Sequence, residues 1–212
     1  MSIDLKIYFE TVRGSLFGGS MNQNQVSGQE KIIQYREEEY PHVTNDQLAY
    51  MLATTKWETA NTMQPIKEYG SLGYLKSKPY YPWYGRGLVQ LTWDYNYAKY
   101  GIKDSPDKAL DWGIALNVLF DGMIKGIFTG KKLSDYITED KCDYVSARRI
   151  INGTDKAKEI AAIAENFRDV LNKSEIKEPD APDDSFKSQL LSLLKDRKST
   201  RLNSSHTDIS RM

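Results

Sequence analysis

Between residues 3 and 12, apolar side chains recur at helical spacing through Leu5, Tyr8, Phe9 and Val12, until Gly18 and Gly19 break the pattern. The spacing predicts a short amphipathic helix. Residues 26–40 predict a second, with Ile32, Ile33 and Tyr35 on its apolar side, ended by Pro41, which disfavours helical geometry at the residue before it. Its Glu37-Glu38-Glu39 run reads as a solvated face. Thr44-Asn45-Asp46-Gln47 has the form of a capping box, in which Thr44 and Gln47 satisfy the free amides of a first turn, so a third helix is expected from there. Along it Leu48, Met51, Leu52, Thr55 and Thr59 share a stripe, and Glu58 lies about 80° from Leu48, at the stripe's edge near the helix end. The pattern thus carries a carboxylate to the border of the core.

From 63 to 92 the periodicity fails, and Gly70, Gly73, Pro79, Pro82, Gly85 and Gly87 punctuate a stretch rich in Tyr and Trp. A long ordered loop region with a small β-hairpin is expected. Helical spacing resumes at 111–127, 143–151 and 154–171, the last with Ile160, Ile163, Ala164, Phe167 and Leu171 in register. The fold class is therefore mainly α with a minor β part. After Asn172, the run through Glu178, Pro179, Asp180, Pro182, Asp183 and Asp184 has the composition of a solvated linker, before a last apolar stretch at 186–194. The expected organisation is one catalytic domain over 1–172, then a linker and short helix over 173–195. Residues 196–212 read as a non-native tail, because Asp-Arg-Lys-Ser-Thr-Arg-Leu-Asn-Ser-Ser-His can be encoded by a sequencing-adaptor oligonucleotide.

Composition narrows the function classes. In 212 residues, 40% hydrophobic and 11% aromatic, one sizeable core is the natural expectation. Lys and Arg (29) balance Asp and Glu (29), without the basic excess of a dedicated nucleic-acid binder; neutral polymers such as glycans fit better. The single cysteine, Cys142, rules out an internal disulfide and a cysteine zinc cluster, and is expected to be a small buried residue. With the tail set aside, His42 is the one histidine left, which disfavours triads and histidine-rich metal sites. The amino-terminal segment has no apolar run of signal-peptide length, and no segment reaches the roughly 18 apolar residues of a membrane span.

Carboxylates remain as candidate chemistry. Glu58 and Glu68 bracket Asn61, Thr62, Gln64 and Pro65, and two acids flanking a cleft suit glycoside hydrolysis. One acid must keep a proton to donate to the leaving oxygen, a role that apolar neighbours such as Trp57 and Met63 favour for Glu58. The other must activate water, and Glu68, between Lys67 and Tyr69 in a Gly-flanked loop, has the more polar setting. By spacing alone, two glutamates in so charged a chain read as surface residues, and the pair by itself is weak evidence of a site. The block Tyr80-Tyr81-Pro82-Trp83-Tyr84 either stacks on sugar rings or belongs to the core. Gly85-Arg86-Gly87 lacks the strand-then-helix context of a phosphate loop. Of Arg148 and Arg149, one is expected to be the buried partner of an acid, the alternative being an anion patch for peptidoglycan carboxylates. Asn152-Gly153 alone reads as a helix-terminating turn.

Three segments carry a resemblance. Lys56-Trp57-Glu58-Thr59, Met63-Gln64-Pro65-Ile66-Lys67-Glu68 and Tyr84-Gly85-Arg86-Gly87-Leu88-Val89-Gln90-Leu91-Thr92-Trp93 are similar to glycoside hydrolase family 19 and its related phage endolysins. Ala147-Arg148-Arg149-Ile150-Ile151-Asn152-Gly153 resembles that family's Arg-Ile-Ile-Asn-Gly segment, so the likeness spans roughly residues 4–171. The resemblance implies a lysozyme-like helical fold with a substrate groove, an inverting mechanism, Glu58 as general acid and Glu68 as general base. It further implies that Gln90 and Asn152 hydrogen-bond substrate, that Thr92 holds the attacking water, and that Asn96 supports the groove. Trp83, Tyr84 and Arg86 are expected on the substrate-binding wall. Trp57 departs from the pattern, because many relatives carry His there.

The expected activity is that of an endolysin hydrolysing β-1,4 bonds of bacterial peptidoglycan as an N-acetylmuramidase, without metal or other cofactor. A chitinase and a catalytically inactive glycan-binding module are the alternatives. The expected partners are peptidoglycan strands and, indirectly, a holin-type pore that releases a monomer from the host bacterial cytoplasm; no nucleic acid is expected.

Overall fold

Side chains that satisfy backbone amides set the helix starts. Asp4 accepts from the amides of Lys6 and Ile7 and opens α1 (Leu5–Leu16). Asn22 and Gln25 form a capping box at the head of α2 (Gln23–Glu39), which therefore begins ahead of the apolar spacing at Val26. The expected box at Thr44 is present: Gln47 N–H donates to Thr44 Oγ1 at 3.2 Å, opening α3 (Asn45–Glu58). Next come α4 (Leu72–Lys76), α5 (Asp94–Lys99), α6 (Trp112–Lys125), α7 (Tyr144–Ala147) and α8 (Ala157–Ser174). Short 3-10 turns lie at Pro106–Leu110, Leu133–Asp135 and Arg148–Ile150.

The protein is mainly helical with a minor β part, as expected. The computed structural model describes residues 2–176. The expected helix at 186–194 and the tail at 196–212 lie outside the described residues.

α3 is the axis of the core. The residues from Leu48 to Thr55 are all buried, so the helix is enclosed on every side rather than along one stripe. Each large apolar side chain among them, such as Leu48, Met51 or Leu52, contributes about 1.5–3 kcal/mol relative to exposure. α8 packs along α3 and also against α1 and α7. Its inner face carries Ile160, Ala164, Phe167, Val170 and Leu171, while Lys158, Glu165 and Asp169 face solvent, the periodicity expected of a half-buried helix.

Two antiparallel two-residue pairs form the β part. β1 (Ser2–Ile3) pairs with β4 (Glu175–Ile176) in the register Ser2 to Ile176 and Ile3 to Glu175. Asp4 N–H donates to Ser174 O at 2.8 Å, and Ile3 N–H donates to Glu37 Oε1 at 2.7 Å. Glu37 therefore secures the amino-terminal strand, while Glu38 and Glu39 remain exposed. Because α8 runs through Asn172 to Ser174 and leads into β4, the compact unit closes at Ile176. β2 (Ile66–Lys67) pairs with β3 (Arg86–Gly87) in the register Ile66 to Gly87 and Lys67 to Arg86. A chain excursion bearing α4, not a tight turn, joins them.

Cys142 is exposed, correcting the expectation of a buried thiol; it sits in an isolated bridge to Ile137, flanked by charged Lys141 and Asp143. No helix among the described residues is long and apolar enough to cross a membrane.

Candidate active site

α3 delivers Glu58 at its last residue, where the enclosed helix reaches the surface of the core. The Glu58 side chain is 16% exposed, and its Oε1 accepts from Arg148 Nη1 at 2.6 Å. Arg148 is buried and comes from the 3-10 turn after α7; its Nε donates to Asp155 O at 3.0 Å, which fixes the plane of the guanidinium. Of the two neighbouring arginines, Arg148 is thus the partner of an acid, and Arg149 is exposed. Trp57 is exposed and Met63 buried, so a guanidinium rather than an indole is the defining neighbour of Glu58. Glu58 Oε2 has no hydrogen-bond partner among the described residues.

Glu68 follows β2 and is held locally. Its Oε1 accepts from the Tyr80 hydroxyl at 3.1 Å and its Oε2 from Gly85 N–H at 3.0 Å, while its own N–H donates to Gly85 O at 2.7 Å. Burial, and then the Glu68 carboxylate, push the Tyr80 phenol up to about 12, so it stays a donor throughout the neutral range.

Both carboxylates line one cleft of about 630 Å³. Gln90, Thr92, Asn96 and Asn152 line it too, so six of the expected site residues meet there. Thr92 Oγ1 donates to Gln90 O at 2.8 Å, which leaves its lone pairs to accept from a molecule in the cleft. Gln90 Nε2 is committed to Ile66 O and Gly87 O, both at 3.2 Å, so the group it offers is its carbonyl oxygen. Asn96 is buried and donates to Thr92 O at 2.9 Å, which ties it to the cleft wall. Asn152 stands exposed at the rim.

Trp83, Tyr84 and Arg86 lie outside this cleft, correcting the expectation for them. Arg86 is 3% exposed and donates to Asp107, to the carbonyls of Pro82 and Tyr84, and to the Tyr97 hydroxyl. Its guanidinium carbon lies 3.7 Å from the centre of the Tyr84 ring, so the pair braces the loop from behind. Trp83 Nε1 donates to Lys103 O at 2.9 Å. The aromatic face of the cleft consists instead of Tyr80, Trp93 and Tyr95. Trp93 meets Tyr80 edge-on at 5.5 Å and stacks with Tyr95 at 6.2 Å, both Trp93 and Tyr95 being exposed. Phe128, Thr129 and Ile151 line the cleft as well. Thr129 Oγ1 donates to Arg149 O at 2.7 Å, and the Phe128 ring covers Gly122 of α6 so closely that a Cβ there would overlap it.

The backbone is strained around this site. Ala60, Asn61, Met63, Gln90 and Trp93 all have positive φ, from 48° to 76°, in the segments just after Glu58 and around Thr92. Such conformations, costing about 1–3 kcal/mol each, persist where the surroundings enforce them and cluster at functional sites. Part of the enforcement is visible at Gly28 of α2, where a Cβ would overlap the Met63 carbonyl oxygen. Sequence reading missed Trp93, Tyr95, Phe128 and Thr129 as lining residues; the segments they occupy have no pattern that separates groove from core.

Among the described residues, no group of three or more His, Cys, Asp or Glu is placed to hold a metal ion. No protein-family model matches the chain, and no curated protein matches its sequence.

Proposed function

We propose that the protein is a glycoside hydrolase of the endolysin kind, cutting the β-1,4 link after N-acetylmuramic acid in bacterial peptidoglycan by direct displacement. One observation carries this reading: two carboxylates from separate chain segments line a single cleft whose exposed aromatic face, Trp93 beside Tyr95, suits the C–H faces of sugar rings.

In this mechanism Glu58 Oε2 gives its proton to the leaving glycosidic oxygen while Arg148 holds Oε1 in place. Glu68 takes a proton from a water that is oriented by the Thr92 lone pairs. The anomeric carbon loses the glycosidic oxygen and gains the water oxygen from the opposite face, so its configuration inverts. The reading also assigns storage in the host bacterial cytoplasm and release through a holin-type pore.

The test is mass spectrometry of soluble fragments from purified peptidoglycan treated with the protein, Glu58→Gln and Glu68→Gln. Products ending in reducing N-acetylmuramic acid, lost by about 10²–10⁴-fold in Glu58→Gln, are expected. The Arg148 ion pair, which dresses Glu58 as an acceptor, favours a second reading: a glycan-binding module without turnover. Retention on cell walls with no fragments released by the unaltered protein would establish that one instead.

A further inference from the structure

Asn96 is committed on both sides of its amide. Its Nδ2 donates to Thr92 O at 2.9 Å, and its Oδ1 accepts from Lys99 Nζ, one turn further along α5, at 3.1 Å. The same ammonium donates to Ile127 O at 2.6 Å, in a segment distant in sequence that leads directly into Phe128 and Thr129 of the cleft. It also lies 5.7 Å from the centre of the Tyr95 ring, within the range at which an ammonium is attracted to an aromatic face. One lysine thus serves the polar wall through Asn96, the aromatic platform through Tyr95 and, through Ile127, the chain that carries Phe128.

The Phe128 segment has other ties, and they run elsewhere. Ile127 N–H donates to Gly122 O at 3.0 Å at the end of α6, Gly130 N–H donates to Gly126 O at 2.8 Å, and Thr129 Oγ1 donates to Arg149 O at 2.7 Å. These bonds fix the segment to α6 and to the chain at Arg149, whereas the Lys99 bond joins it to α5. The Lys99 side chain is itself exposed. Water can therefore take over at Asn96 Oδ1 and Ile127 O when the ammonium is removed, at little cost to the fold. Water satisfies the two oxygens without holding them at a fixed separation.

Resting on the proposed hydrolase reading, we infer that Lys99 is a positioning residue: it clamps Tyr95 and Asn96 to the Phe128 segment, and so aligns a sugar ring in the cleft and, through Asn96 and Thr92, the attacking water. It touches neither the glycosidic bond nor the water in this role. Its leverage comes from geometry, because a displacement of about 1 Å far from the chemistry can cost on the order of 10²-fold in rate.

The experiment measures kcat and KM of the full chain on soluble peptidoglycan strands for the unaltered protein, Lys99→Met and Lys99→Arg, with the unfolding midpoint of each. Lys99→Met keeps the aliphatic stem and removes the cation; it is expected to lower kcat/KM by about tenfold, with a several-fold rise in KM and an unchanged midpoint. Lys99→Arg, which keeps a cationic donor, is expected to recover most of the loss. Unaltered kcat and KM in Lys99→Met overturn the inference while the hydrolase reading stands. A loss of kcat that follows a lowered midpoint at unaltered KM also overturns it, since that is the signature of a merely structural role. Release of no fragments by the unaltered protein overturns the hydrolase reading, and calorimetric titration with the same strands then decides on Lys99 separately. A several-fold weaker Kd in Lys99→Met upholds its alignment of the sugar, and an equal Kd overturns it.

Discussion

Glu58 and Glu68 reach the same cleft from opposite kinds of structure. Glu58 ends a helix enclosed by the core and is held by an arginine 90 positions away in sequence. Glu68 follows a two-residue strand and is held by Tyr80 and the Gly85 amide, from the same excursion of chain. The first carboxylate is therefore positioned by the global fold and the second by a local loop. Disturbing Glu58's support should damage stability and function together, while disturbing Glu68's should damage function with little loss of stability.

Arg148→Ala tests the first half with the largest expected effect. It leaves the mostly buried Glu58 carboxylate without its partner, which in buried pairs costs about 3–5 kcal/mol. Denaturant unfolding should show a lower midpoint at unchanged slope, and glycan release should fall with it. Next is Gly28→Ala, which drives a methyl group into the Met63 carbonyl and so displaces the turn after Glu58. Overpacking of this kind costs about 1–3 kcal/mol, a lowering of Tm by several degrees in a chain of this size, readable by calorimetry.

Tyr80→Phe probes the local side and should lower stability by about 1 kcal/mol or less, while reducing turnover several-fold. Because the Tyr80 phenol is raised to about 12, its contribution is fully present below the unfolded value near 10 and is lost as pH rises toward 12. Between about pH 10 and pH 12 the wild-type protein should thus lose stability that Tyr80→Phe does not, in alkaline unfolding curves. Asp107→Asn should have the smallest effect. The Lys67 hydrogen bond, followed by Arg86, holds the Asp107 carboxyl below the usual carboxylate range. Its contribution is present above about pH 4 and is lost as pH falls further. Asp107 is 62% exposed, so the difference at neutral pH should be about 0.2–1 kcal/mol, shrinking in acid.

The contrast between the two carboxylates also marks what could be read from sequence. The helices, the Thr44 capping box and the delivery of Glu58 to the core's edge follow from local spacing and hydrogen-bond chemistry, which a linear pattern records. Arg148 was legible as one of two arginines with a buried acid for a partner, but which acid depends on how α7 meets α3. The Tyr80 to Arg86 stretch was least legible. Tyrosine and tryptophan carry both an apolar ring and a polar tip, so groove and core use them alike. Tyr80 turned toward the cleft, whereas Trp83, Tyr84 and Arg86 turned toward the loop's supports at Lys103 and Asp107. The charged neighbours of Cys142 were the unused signal that it would be exposed.

The pairing of β1 with β4 has a consequence for biosynthesis. Ser2 and Ile3 leave the ribosome before the rest of the fold, yet their strand partners, Glu175 and Ile176, leave it after all of α8. Since α8 also supplies the largest surface packed on α3, the central helix of the nascent chain stays uncovered until nearly the whole unit has been translated. Contacts of such long sequence separation delay folding. A ribosome stalled before residue 157 would therefore hold a chain with Glu58 and Glu68 already made but α3 still open to chaperones and proteases.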